Sequence, residues 1–158
     1  MKTLNDVDDN AKKVAVSALQ SVLVGTSDLT NATRQAHWNV KGPQFAGLHK
    51  LFEEFYGKLN ELTDEVAERI VQLGAIADGT TQTIGETTKL EPYPKNLLEG
   101  LDHVKALSTR YAALANEVRE AIDAADEAGD ANTADLLGDH GRFLDKSLWM
   151  LEAHFQKK

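Results

Sequence analysis

The sequence predicts an all-α chain of four long amphipathic helices, with a long crossover between the second and the third. Only three prolines occur in 158 residues, and alanine, leucine and glutamate dominate several segments, a composition that favours helix. Apolar residues recur at intervals of three and four along four separate stretches, as on the buried stripe of a packed helix. We expect helices at about residues 7–38, 47–73, 96–125 and 133–155.

Composition limits the classes of protein that are possible. The length favours one domain, 1–158, with residues 1–6 as a short N-terminal tail. The absence of cysteine excludes disulfides, thiolate metal sites and cysteine nucleophiles. No signal-peptide core and no membrane-length apolar run occurs, so the expectation is a cytoplasmic protein with no membrane partner. The net charge of −8 argues against a general nucleic-acid surface and suits a protein that attracts cations.

The first helix should begin at a cap formed by Asp8, Asp9 or Asn10. His37 lies at its end, just before a Gly-Pro break. By position alone, such a histidine is more commonly an interior residue or a helix-terminal cation than a metal ligand. The neighbouring Trp38 is expected to be a buried packing residue.

The second helix carries polar residues on the side opposite its apolar stripe. At about 100° per residue, His49, Glu53, Asp64 and Glu68 fall within roughly a quarter of the circumference. These side chains therefore point away from the chain's own core. The stripe itself consists of Leu51, Phe55, Leu59, Leu62, Val66, Ile70 and Leu73.

The four polar residues form two pairs that cannot hold the same ion. His49 and Glu53 are one turn apart, as are Asp64 and Glu68, but the pairs are separated by about 22 Å at 1.5 Å per residue. Metal–ligand bonds are only about 2 Å long. An antiparallel copy of the helix, related by a two-fold axis near Gly57, would bring the two pairs together and create two identical sites. A glycine at that crossing allows close approach.

A simpler interpretation treats these carboxylates as solvated surface charges, which are the norm. Against it, Asp64 and Glu68 are like charges at i,i+4, which destabilises a helix by about 0.2–0.5 kcal/mol unless a cation bridges them. Imidazole and carboxylate without thiolate suit iron, manganese or zinc. Spacing alone leaves both interpretations open.

The rest of the chain predicts the remaining bundle. Residues 75–95 are small and polar with two prolines, as in a crossover with about one helical turn near residues 80–85. A turn is expected at 126–133. Neither His140 nor His154 is expected to have a catalytic role, and His103 should be structural or exposed. The third helix is expected to face inward with Leu97, Leu101, Val104, Tyr111, Leu114, Val118 and Ile122, and the fourth with Leu137, Leu144, Leu148 and Leu151.

Several motifs make a family resemblance specific. The segments QAHWNVKGPQF, DEVAER and LDKSLWMLEAH closely resemble the Dps family, the mini-ferritins named as DNA-binding proteins from starved cells. The resemblance covers nearly the whole chain. It implies a ferritin-like four-helix bundle, in which the long crossover joins parallel helices. It also implies assembly of identical copies into a hollow dodecameric cage.

The resemblance also implies an activity. Family members bind Fe(II) at sites shared across a two-fold interface, oxidise it preferentially with hydrogen peroxide, and store the ferric product inside the cage. The family's ligands map onto His37, His49 and Glu53 of one subunit and onto Asp64 and Glu68 of its partner. The family usually has aspartate where this chain has Glu53, which lengthens the reach of that ligand. A further hypothesis is that Trp38 takes up an electron when iron oxidation is incomplete.

An acidic cluster surrounds the predicted turn between the last two helices. Helix capping and a solvated face explain such a cluster without any function. The resemblance implies instead a negatively charged three-fold pore that guides Fe(II) into the cage. Asp135 matches that pore best, and Asp130 and Asp126 are weaker candidates for metal contact.

Two other functions are weighed against iron oxidation. A di-iron oxidase within a single bundle uses Glu-x-x-His pairs, and none occurs in this sequence. A structural DNA-compacting protein is the other alternative, with iron handling secondary. The lysines near the termini favour it, but the acidic residues beside them and the acidic body oppose phosphate contacts. The lysines are Lys2, Lys12, Lys13, Lys157 and Lys158, and the acidic residues beside them are Asp6, Asp8 and Asp9.

Overall fold

The computed structural model describes residues 3–156, which form four long helices and one short one. Within that range no residue belongs to a β-strand, and an isolated bridge pairs Lys41 with Glu99. The predicted all-α class is confirmed. No described helix has both the length and the apolar character that a membrane span needs. The helices are α1 (Asp9–Asn39), α2 (Phe45–Gln72), α3 (Thr81–Thr87), α4 (Gly100–Ala128) and α5 (Ala131–Glu152).

The first two helices form an antiparallel hairpin close to the predicted boundaries. Asp8 caps α1, because its carboxylate accepts hydrogen bonds from the backbone N–H of Asn10 at 2.8 Å and of Ala11 at 3.4 Å. α1 ends at Asn39, and the chain reverses through Gly42, whose φ of 101° is a left-handed conformation that glycine adopts without strain.

The predicted start of the third long helix is wrong. α4 begins at Gly100 rather than at Asn96, and neither Leu97 nor Leu101 is buried. The backbone N–H of Lys41 donates to the carbonyl of Leu98 at 2.8 Å. This contact holds the residues before α4 in an extended conformation, which apolar spacing does not reveal.

The connection between α4 and α5 is shorter than predicted. α4 continues to Ala128, and α5 begins at Ala131, so only Gly129 and Asp130 separate them. Gly129 has a φ of 91°, the left-handed conformation that commonly ends a helix. α5 then ends at Glu152, three residues before the predicted end.

The long helices pack as a square in which α1 contacts α2 and α4, while α5 contacts the same two neighbours. α2 and α4 therefore occupy opposite corners, and the crossover that joins them must span the bundle. The largest fully buried side chains are Tyr111, Phe52, Leu19, Leu23, Leu29, Leu48, Leu59, Leu62, Ile70, Leu107, Leu114 and Leu137.

Polar side chains of the bundle hold the crossover. Arg110 of α4 donates hydrogen bonds to the carbonyls of Glu91 and Pro92. The Tyr93 hydroxyl oxygen lies 2.7 Å from Nδ1 of His103, which is buried. These contacts give His103 a structural role, as the sequence predicted.

His140 is the most deeply buried histidine of the bundle. Its side chain is fully buried, and its Nε2 atom lies 3.1 Å from the Thr26 hydroxyl. Burial, and to a lesser degree the charge of Lys58, lowers the pKa of His140 to about 4. The folded protein therefore keeps this imidazole neutral.

We predict that acidification destabilises the fold through His140. The unfolded chain binds a proton at His140 below about pH 6.5, whereas the folded chain does so only near its lowered pKa. The unfolding free energy should therefore fall as pH drops across this window, by about 3 kcal/mol from this group. Denaturant unfolding of His140→Gln should show a shallower loss, and the control His154→Gln should behave like the wild type. An equally steep loss in His140→Gln would contradict the prediction.

Candidate metal centre

Two histidines meet where α1 ends and α2 begins. The His37 Nδ1 atom lies 2.8 Å from the backbone oxygen of His49, and the His49 Nδ1 atom lies 2.8 Å from the backbone oxygen of His37. Because a carbonyl only accepts, each Nδ1 must carry the proton. The rings stack with centroids 3.8 Å apart and planes inclined by 22°.

These crossed hydrogen bonds give both rings an arrangement that could hold a metal ion. With Nδ1 protonated, Nε2 of each ring has the free lone pair, and neither Nε2 atom has a hydrogen-bond partner within residues 3–156. Metal-binding histidines characteristically donate their other ring N–H to a carbonyl or carboxylate, which fixes the tautomer and the orientation. His37 is buried and His49 is half-buried, so the pair lies at the edge of the surface.

The backbone explains why the His37 carbonyl is available. In a continuing helix, the N–H of Lys41 would bond to that carbonyl. Here the Lys41 N–H bonds to Leu98 instead, at 2.8 Å, and α1 closes with the Val40 N–H on Ala36. The segment before α4 thus frees the acceptor that orients His49.

The carboxylates predicted as ligands lie on the outward side of α2. Glu53, Asp64 and Glu68 are all exposed, and each lacks a hydrogen bond or ion pair to the residues that the structure describes. The same part of the chain contains no group of three or more His, Asp or Glu side chains that could hold a metal ion. One copy brings His37 and His49 together, whereas Asp64 and Glu68 lie about 22 Å further along the rod than His49 and Glu53.

Trp38 is not the buried packing residue that the sequence predicted. Its side chain is 67% exposed. Successive residues of a helix point about 100° apart, so the rotation that buries His37 turns Trp38 outward. Its role in taking up an electron stays a hypothesis.

Asp130 is not available as a pore carboxylate. It is 2% exposed and forms an ion pair with Arg69, whose Nη2 atom lies 2.8 and 3.1 Å from the two carboxylate oxygens. Asp130 also caps α5 by accepting hydrogen bonds from the N–H and hydroxyl of Thr133. Asp126 and Asp135, on either side of the turn, are exposed.

The sequence interpretation missed two residues beside the histidines. Tyr56 meets the His37 ring edge-on, with centroids 5.3 Å apart, and the Arg34 guanidinium lies 5.2 Å from the centre of the Tyr56 ring. Helical spacing could have found both. Arg34 precedes His37 by three residues, and Tyr56 follows Glu53 by three, so each shares a face with a candidate ligand.

Comparison with known proteins places the fold. Residues 16–158 match the Ferritin family, described as a ferritin-like domain. A DNA protection during starvation protein from Agrobacterium fabrum is 48% identical over 157 residues, which cover 99% of this chain and 97% of the relative. The chain belongs to the Dps family. A Dps-family relative of the same name from Helicobacter pylori is 37% identical and covers 75% of this chain and 82% of its own.

Solved structures of the Dps family have the same fold. DpsC from Streptomyces coelicolor superimposes with a TM-score of 0.95 at 26% identity, covering 100% of this chain and 92% of its own. A Dps protein from Vibrio cholerae gives 0.91 at 28% identity over 98% and 97% of the two chains, and is described as one of the ferritin-like diiron-carboxylate proteins. The predicted ferritin-like bundle is therefore confirmed.

We predict that Arg69→Met destabilises the chain by about 3–5 kcal/mol, because it leaves the buried Asp130 carboxylate without its cation. The exposed Asp135, in the first part of α5 just after this turn, provides a control, and Asp135→Asn should change stability by less than about 0.5 kcal/mol. Urea unfolding measures both. Equal stability of the two variants would show that the ion pair does not hold this turn.

Proposed function

We propose that two copies of this chain assemble an iron-oxidising centre from complementary halves. His37, His49 and Glu53 of one copy, with Asp64 and Glu68 of the other, bind Fe(II) as the substrate. Hydrogen peroxide is the preferred oxidant, and a hollow cage of twelve copies stores the ferric mineral. The crossed imidazole pair supports this proposal most directly, because it fixes two adjacent Nε2 lone pairs beside a surface of unpaired carboxylates.

The outward face of α2 has the properties of a self-complementary interface. In the register that sets His49 against Glu68 and Glu53 against Asp64, Phe45 at the start of the helix lies near Val71 at its end. Phe45 is 47% exposed and Val71 is 49% exposed in the single chain. A two-fold axis would place Phe45 of each copy against Val71 of the other, so the same apolar contact would occur twice, as an isologous interface requires.

Gly57 lies near the centre of that register. A glycine within a helix destabilises it by about 1 kcal/mol relative to alanine. Within the chain nothing requires it, since an added Cβ would have no atom within 4 Å among the described residues. Close approach of a second α2 helix would account for the missing side chain.

The donor set suits the chemistry of iron. Three carboxylates neutralise the cation and favour Fe(III), which prefers hard oxygen ligands, while the two imidazoles complete a mixed nitrogen and oxygen site. Two Fe(II) ions each give up one electron and become Fe(III), and these two electrons with two protons from the solvent reduce one hydrogen peroxide to two waters. Consuming peroxide in this way avoids one-electron cleavage to the hydroxyl radical and would protect nearby DNA.

Iron must also reach the interior of the cage. We assign this role to the exposed Asp135 and, less directly, to Asp126, which lie on either side of the α4–α5 turn. A ring of these carboxylates around a three-fold axis would concentrate Fe(II) locally, and salt would screen the effect. Asp130 holds the turn in place.

We predict that His37→Ala combined with His49→Ala slows peroxide-driven Fe(II) oxidation by on the order of 100-fold or more, because the centre loses both nitrogen ligands. Stopped-flow absorbance of ferric product measures the rate. Sedimentation should still give an assembly of about 208 kDa, twelve times the 17.3 kDa chain mass.

A matched pair of glutamates sharpens the assignment. Glu53→Gln should also slow oxidation, whereas Glu54→Gln should not, since Glu54 is an exposed neighbour that pairs only loosely with Lys50 at 4.0 Å. Normal kinetics in the double histidine variant would remove the proposed centre. Equal effects of the two glutamine variants would point to surface charge rather than ligation.

DNA binding is the second candidate, and the names of the relatives favour it. Lys13 is exposed near the N-terminus, whereas Lys12 is half-buried and donates to the Asn5 carbonyl at 2.6 Å. Lys2, Lys157 and Lys158 lie outside the described residues. Many weak phosphate contacts across a cage would add through multivalency.

If DNA is a ligand, a gel-shift assay at low salt should show retardation that disappears as salt rises, because released counterions drive phosphate binding. Lys12→Gln with Lys13→Gln should reduce the retardation. The absence of any shift at low salt would remove this candidate and leave the iron chemistry untouched.

A further inference from the structure

Arg34 is a half-buried cation without an anionic partner among the residues that the structure describes. Within residues 3–156, its guanidinium makes no hydrogen bond and no ion pair. Its contact there is the face of Tyr56, at 5.2 Å from the ring centre. A guanidinium carries five N–H donors in a rigid fork that matches a carboxylate, so this arrangement leaves most of its binding capacity unused.

The position of this charge is unexpected. Tyr56 contacts the His37 ring at 5.3 Å between centroids, so Arg34 lies beside the histidine half of the centre. A fixed positive charge there opposes the binding of Fe(II) by electrostatic repulsion. The cation therefore needs a purpose other than holding iron.

The acidic half of the proposed centre lacks a positively charged partner. Asp64 and Glu68 are exposed like charges one turn apart, and neither has a cation within the described chain. In the register that sets Glu53 against Asp64, the Tyr56 ring and the Arg34 guanidinium on it lie within about one helical turn of Asp64 from the second copy.

We propose that Arg34 pairs with Asp64 of a second copy when no iron is bound, and that Fe(II) must displace it from this carboxylate. The inference rests on the proposed function, because it uses the same two-fold register. It assigns Arg34 as a positioning residue that stabilises the iron-free assembly and weakens iron binding. The centre thereby keeps its halves together before the substrate arrives.

The charges of the joined site favour this arrangement. Three carboxylates meet there, those of Glu53, Asp64 and Glu68, beside two imidazoles whose Nδ1 atoms donate to main-chain carbonyls. Without iron, Arg34 offsets one of the three negative charges. With Fe(II) bound, the cation supplies two positive charges, and the arginine is free to return to the face of Tyr56.

A double-mutant cycle on the iron-free protein tests the pairing. Arg34→Gln and Asp64→Asn should each weaken association of the copies by about tenfold or more, as close charge pairs at interfaces do. The double variant should associate no more weakly than either single variant. Sedimentation at increasing salt measures association, and Arg34→Lys should restore part of it.

Iron binding provides an independent readout. Anaerobic calorimetry with Fe(II) alone should show tighter binding to Arg34→Gln than to the wild type, by several-fold, whereas a merely structural arginine would leave binding equal or weaker. Circular dichroism checks that each variant is folded. Asp64 is exposed, so Asp64→Asn should leave the fold intact. Its effect on association can therefore be measured even if replacing Arg34 perturbs the fold.

Additive effects on association, or unchanged association in Arg34→Gln, would overturn the pairing while leaving the iron centre intact. If the wild-type chain stays monomeric, the shared centre itself fails. Normal oxidation in the double histidine variant would also reject the centre, and these outcomes are distinct from the loss of the arginine pairing alone.

Discussion

The rigidity of α2 is the constraint on which the rest depends. A continuous α-helix of 28 residues carries its polar face outward, so the His49–Glu53 pair and the Asp64–Glu68 pair stay about 22 Å apart. No side-chain motion closes that distance. The two histidines and the paired carboxylates can therefore meet only between molecules, and the proposed iron oxidation would be a property of an assembly rather than of a single folded chain.

The other elements position the two ends of α2. α1 supplies His37 at its last turn, and the extended segment before α4 takes the Lys41 N–H, which leaves the His37 carbonyl for His49. At the far end, Arg69 fixes the α4–α5 turn through Asp130. Both ends of α2 are thus tied to distant parts of the bundle, which fixes the outward direction of its polar face.

The spacing of apolar residues was sufficient to predict the long helices. It also predicted the face of α2 on which His49, Glu53, Asp64 and Glu68 lie. That spacing failed where backbone contacts between distant residues determine the conformation. At the start of α4, the bridge between Lys41 and Glu99 keeps the preceding residues extended. Charge patterns could not separate Asp130, which is buried by Arg69, from its exposed neighbours. The exposure of Trp38 and the isolation of Arg34 likewise depend on how α1 is rotated against α2, which one-dimensional spacing does not specify.

The crossed hydrogen bonds of the two histidines end on main-chain carbonyls rather than on side chains. Every amino acid supplies that acceptor, so no substitution at a neighbouring position can delete it. Where a side chain orients a metal-binding histidine instead, a single substitution can remove the orienting group. Here the path of the backbone sets the orientation of both rings. The surrounding sequence can therefore diverge as long as the α1–α2 hairpin keeps its shape.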